Sequence, residues 1–244
     1  MGSLTNAMIA MNIAVFLLIF SMPAEMMESA FSMLSFTSSM LLEPWRIITS
    51  MFLHASASHL FFNMLGLYFF GRVVEREFGS RKFAAIYFLS GIAGSVAFGL
   101  TSTMEAVGAS GCIFGLMGAA MLAKPKEWVR IFVFPLPMGI VAILYIVTQA
   151  ALAVIPLGDS GIAYVAHIGG MLAGALIAFR LKPKDSVKGI MWLVALLLLL
   201  ILLWPVISIA VSIGQIILSV VDLILGFVLY GVAKLLLSWI WVVI

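Results

Sequence analysis

The residues best equipped for chemistry are one serine and a few histidines set in an otherwise apolar chain. Ser110 is flanked by Gly108 and Gly111, His167 follows much later, and His59 and Asn63 sit four residues apart, one helical turn. A serine hydroxyl is a weak nucleophile until a neighbouring base takes its proton, and His167 is the candidate base. His59 and Asn63 carry N–H donors that can meet a developing oxyanion. The unpaired amides of a helix opening at Ser110, that of Ser110 itself included, can do the same. Gly108 and Gly111 permit the turn and the close backbone approach that such a hole requires. No carboxylate accompanies the pair in these segments, so a Ser/His dyad is expected and not a triad.

The same residues have plainer readings. Serine is common at contacts between membrane helices, and His167 can serve as an interior histidine, with Gly170 and Gly174 arguing for close helix packing in either case. His54 reads as structural, because it falls in a connection above the level of the other two histidines. A metal centre built from His54, His59 and His167 is a poor reading: HExxH is absent and no intramembrane carboxylate lies near them. The single cysteine, Cys112, excludes an internal disulfide and a cysteine metal cage. No cofactor is expected.

These side chains need a scaffold, and the composition dictates its solvent. Of 244 residues 64% are hydrophobic and 9% charged, too little polar surface for a soluble domain of this size. Apolar runs recur along the chain, several reaching the ~20 residues that cross a hydrocarbon core. The first lacks a basic flank and a small-residue cleavage site, so it reads as a span and not a signal peptide. Spans are expected near residues 4–22, 58–75, 82–101, 110–123, 128–155 and 161–180, giving an all-α polytopic bundle of six helices. A core of residues 1–183 would be followed by an apolar extension, 184–244, of one or two helices. In its last run Gln215, Ser219, Asp222, Gly226, Tyr230, Lys234 and Ser238 share one helical stripe.

Charge sets the topology. Arg72, Arg76, Arg81 and Lys82 fall in the second connection, Lys124, Lys126 and Arg130 in the fourth, and Arg180, Lys182, Lys184 and Lys188 after the sixth span. The odd connections hold Glu25, Glu28, Glu43, Glu105 and Asp159, with Arg46 their only strongly basic residue. Basic residues mark the cytoplasmic side, so the N-terminus is expected in the cytoplasm of a cell-membrane protein. The first outer connection, residues 23–57, is too apolar for a solvated loop: Phe31, Met33, Leu34, Phe36, Met40, Leu41, Leu42 and Trp45 suit short interfacial helices. Glu75, Arg76 and Glu77 suit ion pairs at a helix end. No repeat symmetry or charged pathway suggests a transporter, and no feature suggests a nucleic-acid partner.

The fourth span is informative because Ser110 to Lys124 supplies only ~21 Å of helix against a hydrocarbon core of ~30 Å. Anchored by Lys124 and Lys126, it must begin inside the protein, with the chain before it dipping below the surface. His167 lies thirteen residues before Arg180 and His59 thirteen before Arg72, so both are roughly 20 Å from that end. Ser110, His59 and His167 share a level. Ionisable groups at such depth default to a functional hypothesis.

The motifs resemble those of the rhomboid family. GASGCIFG at 108–115 resembles its GxSG nucleophile motif, and AHIGG at 166–170 with Gly174 resembles its AHxxGxxxG. HLFFN at 59–63 resembles HxxxN, and Trp45–Arg46 matches the WR pair of the first loop. The likeness spans about residues 4–182. It implies an intramembrane serine protease that cuts transmembrane segments of other proteins near their outer end without cofactor or metal, its partners being such substrates and membrane lipid. Ser110 would be the nucleophile, His167 the general base, and His59, Asn63 and the Ser110 amide the oxyanion donors. Phe114 stands where many members have a tyrosine packed under the catalytic histidine; its ring can pack there without the hydroxyl. The alternative is a catalytically inactive relative that binds transmembrane helices as a scaffold, against which the intact Ser110 and His167 argue.

Overall fold

The computed structural model describes residues 3–38, 42–131, 134–141, 143–144 and 164–243. Their elements are helices α1 (Leu4–Phe20), α2 (Ala24–Leu34) and α3 (Arg46–Thr49), the last running into a 3₁₀ turn at Ser50–Phe52. Then come α4 (Ala57–Gly66), a π turn (Leu67–Gly71), α5 (Arg72–Phe78), α6 (Ser80–Gly99) and α7 (Ser110–Ala123). Strands β1 (Trp128–Ile131) and β2 (Phe134–Pro137) precede α8 (Tyr164–Leu181) and α9 (Pro183–Val243). Among the described residues four segments are long and apolar enough to cross a membrane: Ser80–Gly99, Tyr164–Leu181, Pro183–Val206 and Ser212–Gly231. Leu4–Phe20 and Ser110–Ala123 are shorter apolar helices. This is an integral membrane protein.

The helix starting at Ser110 ends within a residue of its expected limit. From Cys112 to Ala123 all but Met121 are buried, so α7 is the axis around which its neighbours pack. Such a helix needs no amphipathic stripe, because protein surrounds it on every side. α6 and α8 approach it through glycines. A Cβ on Gly170 would strike the Gly111 carbonyl, one on Gly174 the Gly115 carbonyl, and one on Gly118 the Met171 carbonyl. Without a strong hydrophobic drive between helices in lipid, this backbone-to-backbone fit supplies van der Waals contact that larger side chains would prevent. α1 faces the core through Thr5, Met8, Asn12 and Ile19, spaced as one helical stripe.

The second span is interrupted, contrary to a simple helix over 58–75. The π turn inserts between α4 and α5, and Gly79, at φ +81°, then reverses the chain into α6. The fifth span was expected from residue 128. Instead Trp128–Ile131 and Phe134–Pro137 pair antiparallel, with Trp128 opposite Pro137 and Ile131 opposite Phe134. Pro135 and Pro137 lack the N–H that a helix needs, whereas a two-stranded edge tolerates them. Residues 145–155, the rest of that span, lie outside the described residues, as do Met40 and Leu41 of the first outer connection.

Ion pairs fasten the end of the bundle where α7 finishes. Glu77 pairs with Lys124 at 3.1 Å and with Lys182, joining the ends of α5, α7 and α8, and Arg76 pairs with Glu127. Partial burial works against the Glu77 charge, but hydrogen bonds from Lys182 and Lys124 outweigh it and hold the carboxyl below its usual range. Glu75 accepts from Ser3 Oγ, from the Leu4 and Thr5 amides at 2.7 and 3.0 Å, and from Thr5 Oγ1 at 2.7 Å, so it caps α1 from a distant segment.

By contact the chain divides into Met1–Val194 and Ala195–Ile244. The first unit continues past residue 183: Ser186 is fully buried, a Cβ on Gly189 would meet the Leu122 carbonyl, and Trp192 lies against Gly139. In the second, none of the Ser212–Gly231 window is buried. A chain ending at residue 206 is therefore expected to keep its melting temperature in detergent within a few degrees of the full chain. One ending at 183 should melt well below it, having lost those three contacts. Equal melting of the two would show that they contribute nothing.

Candidate active site

The fold brings Ser110 and His167 into direct contact. Ser110 opens α7 and His167 lies one turn into α8, with Ser110 Oγ and His167 Nε2 2.9 Å apart, within hydrogen-bond range. Gly170, one residue short of a turn beyond His167, is pressed against the Gly111 carbonyl, so the packing that seats α8 on α7 also sets this distance. Phe114, one turn after Ser110, stacks on the imidazole with ring centroids 4.1 Å apart and planes within 8°. Tyr164 meets the same imidazole edge-on at 6.5 Å. The imidazole is thus held by a ring face and a ring edge while one nitrogen meets the serine.

The chain before Ser110 is held by backbone bonds. Phe36 and Ala106 exchange N–H···O bonds of 2.9 and 3.0 Å, an isolated bridge between the first outer connection and the segment leading to the serine. The Gly108 amide donates to the Ser50 carbonyl at 2.9 Å. Gly108 has φ +120°, a conformation that L side chains rarely adopt. Ala109 caps α7 without a side-chain bond, which leaves the first-turn amides free of a cap at the point where Ser110 sits.

His59 lies against this turn: a Cβ on Gly108 would fall 2.8 Å from both Cε1 and Nε2 of its ring. Asn63 is buried, and its Nδ2 donates to the His59 carbonyl at 2.9 Å. One of its two amide hydrogens is thereby spent inside its own helix, which the four-residue spacing did not reveal. Ser110, His167, His59, Gly108, Gly111, Phe114 and Gly170 are thus one cluster, with Asn63 at its edge. A small cavity of about 40 Å³ adjoins Ser110, lined by Phe36, Met51, Gly91, Phe98 and Cys112 among others.

Arg46 organises the outer connection. Its Nε donates to Glu43 at 2.6 Å and its Nη1 to the Ser35 carbonyl at 3.1 Å, with a further bond to the Ser32 carbonyl. It fixes the strand position of Phe36 and so, through the bridge, the approach to Ser110. Neither Phe36 nor Ala106 carries a sequence signal for this pairing, since an isolated bridge has no periodicity to read. Among the described residues no three His, Cys, Asp or Glu side chains come together as a metal site.

A family model for the Rhomboid domain matches residues 41–184. The chain belongs to the rhomboid family. It is 37% identical to rhomboid protease GluP of Bacillus subtilis over 158 residues, 64% of this chain and 30% of that protein. It is 36% identical to RHOMBOID-like protein 5 of Arabidopsis thaliana over 147 residues, 59% of this chain and 46% of that one. Inactive RHOMBOID-like protein 8 of the same plant is 42% identical over 87 residues, 35% of this chain and 25% of its own. The chain thus spans less than half the length of these rhomboid relatives, which include both proteases and an inactive member.

Proposed function

We propose that this chain is an intramembrane serine protease whose dyad is Ser110 and His167. The observation that carries the reading is the 2.9 Å approach of Ser110 Oγ to His167 Nε2 at the floor of an otherwise apolar bundle. With its proton on Nδ1, His167 accepts the serine proton as Oγ attacks a peptide carbonyl, then delivers it to the departing amine. A water, deprotonated by the same nitrogen, releases the acyl group. The oxyanion formed in each attack would accept from the Ser110 amide and the His59 ring, with the second Asn63 hydrogen as a further donor. Phe114 and Tyr164 orient the base through ring contacts, in place of the carboxylate of a triad.

Substrates of this reading are transmembrane segments of other proteins, cut near their outer end, where the pocket beside Ser110 suits a small side chain. The core would comprise residues 1–183 with the apolar remainder appended, and the basic connections would lie in the cytoplasm with the N-terminus. The inactive-scaffold alternative gains from the inactive relative but leaves the Ser110 to His167 contact without a purpose. Labelling of Ser110 by a fluorophosphonate in detergent, followed by cleavage of a transmembrane substrate, tests the assignment. A folded protein that does neither is no protease.

The two donors of α4 are expected to differ. His59→Ala should lower kcat by ~10²-fold with little change in KM, as loss of one oxyanion donor does. Asn63→Ala should cost less in kcat and more in melting temperature, because its amide also bonds within α4. Equal kcat losses at unchanged stability would show that Asn63 serves the oxyanion alone.

A further inference from the structure

His54 takes no part in the mechanism above, yet it is the least solvent-exposed of the three histidines. It is 1% exposed, in the short extended stretch between the Ser50–Phe52 turn and α4, next to buried Met51 and Leu53. One ring nitrogen faces the Phe52 carbonyl without meeting full hydrogen-bond geometry, and the other has no hydrogen-bond partner among the described residues. A buried imidazole whose second nitrogen is unmet is costly, and a phenyl ring would fill the same space without that cost. What the His54 ring does meet is His59: the two rings are edge-on, centroids 5.2 Å apart and planes at 64°.

His59 needs such a neighbour. Its backbone is set by the start of α4, where its amide donates to Ser56 Oγ at 3.1 Å, but this leaves the ring free to turn about its own side-chain bonds. To donate to charge appearing beside Ser110, the ring must point there before the charge forms. Glycine at 108 leaves room for the ring and cannot grip it.

We propose that His54 is a positioning residue that holds the His59 ring in its oxyanion-facing orientation, acting through His59 and not on the substrate. The proposal rests on the protease reading. Burial and then the proximity of His59 push His54 down to about 4, so it stays neutral at pH 7 and adds no second charge beside His59.

The test is a double-mutant cycle on the full chain in detergent, with a transmembrane substrate. His54→Leu keeps most of the volume but removes the aromatic edge that meets the His59 ring. Expected is a melting temperature within a few degrees of wild type, unchanged KM, and kcat and fluorophosphonate labelling both slower by ~10-fold. In a His59→Ala background the same substitution should change neither rate, because the ring it positioned is gone. Should His54→Leu fail to fold, the cycle is run with His54→Met, which likewise lacks the ring edge. Wild-type kcat in the single variant overturns the proposal. So does an equal loss with and without His59, which would mean that His54 acts on the fold or the substrate directly. In both cases the wild type still labels and cleaves, so the protease reading survives. Failure of the wild type itself to label or cleave overturns that reading and this proposal with it.

Discussion

Ser110→Ala is expected to abolish cleavage of a transmembrane substrate, by ~10⁴-fold or more, while leaving the melting temperature within a few degrees. The change removes one oxygen from a half-buried side chain and, with it, one hydrogen bond worth about 1 kcal/mol. Nothing packed around α7 moves, since its buried face begins at Cys112. His167→Ala should match the loss in rate, and the double variant should be no worse than either single one, because serine and base act as one unit. His167→Ala should also lower the melting temperature, as it strips the ring stacked on Phe114 at 4.1 Å. Cleavage and melting of each purified variant decide the matter. Cleavage by Ser110→Ala at the wild-type rate would remove the dyad as the seat of the activity.

The largest effect on stability is expected from Gly174→Val. Its Cβ would collide with the Gly115 backbone oxygen, and a backbone atom in the central helix has no alternative rotamer to retreat into. α8 must then lift away from α7, and the serine–histidine distance opens with it. Melting should fall steeply and cleavage should vanish even in the fraction that stays folded. Gly226→Ala provides the control: among the described residues nothing beyond its own helix backbone lies within 4 Å of its added Cβ, so melting and rate should hold. If Gly174→Val melts with the wild type, the close α7–α8 packing is not what sets the site.

What the sequence made legible was depth. The basic clusters mark one end of each span, and counting back along a fixed helical rise placed Ser110 and His167 at one level; a bond between them could form only there. Helix ends at Ser110 and Ala123 were readable because glycine, charge and length agree. The pairing of Phe36 with Ala106 was not readable, since two single residues far apart in the chain carry no pattern. The pairing of Trp128–Ile131 with Phe134–Pro137 was hidden because these residues, Arg130 apart, are as apolar as those of a span, and only Arg130, Pro135 and Pro137 argued against helix. The π turn at Leu67–Gly71 was hidden because one extra residue per turn leaves the apolar run intact. Asn63 is buried one turn from His59, and its own helix takes one of its amide hydrogens, which spacing alone does not reveal.

The capping of α1 by Glu75 bears on how the molecule is assembled. α1 leaves the ribosome before α5, yet the carboxylate that satisfies its opening amides lies some seventy residues later, at the far end of the second span. Until that segment has been synthesised and inserted, water must solvate those amides, and α1 has nothing to fix its rotation about its own axis. α1 is therefore locked only after segments made later than it, and the bundle closes only after its second span doubles back. A Glu75→Ala chain would accordingly show its defect in the yield of folded protein from cell-free insertion into liposomes, with the rate of each correctly folded molecule preserved.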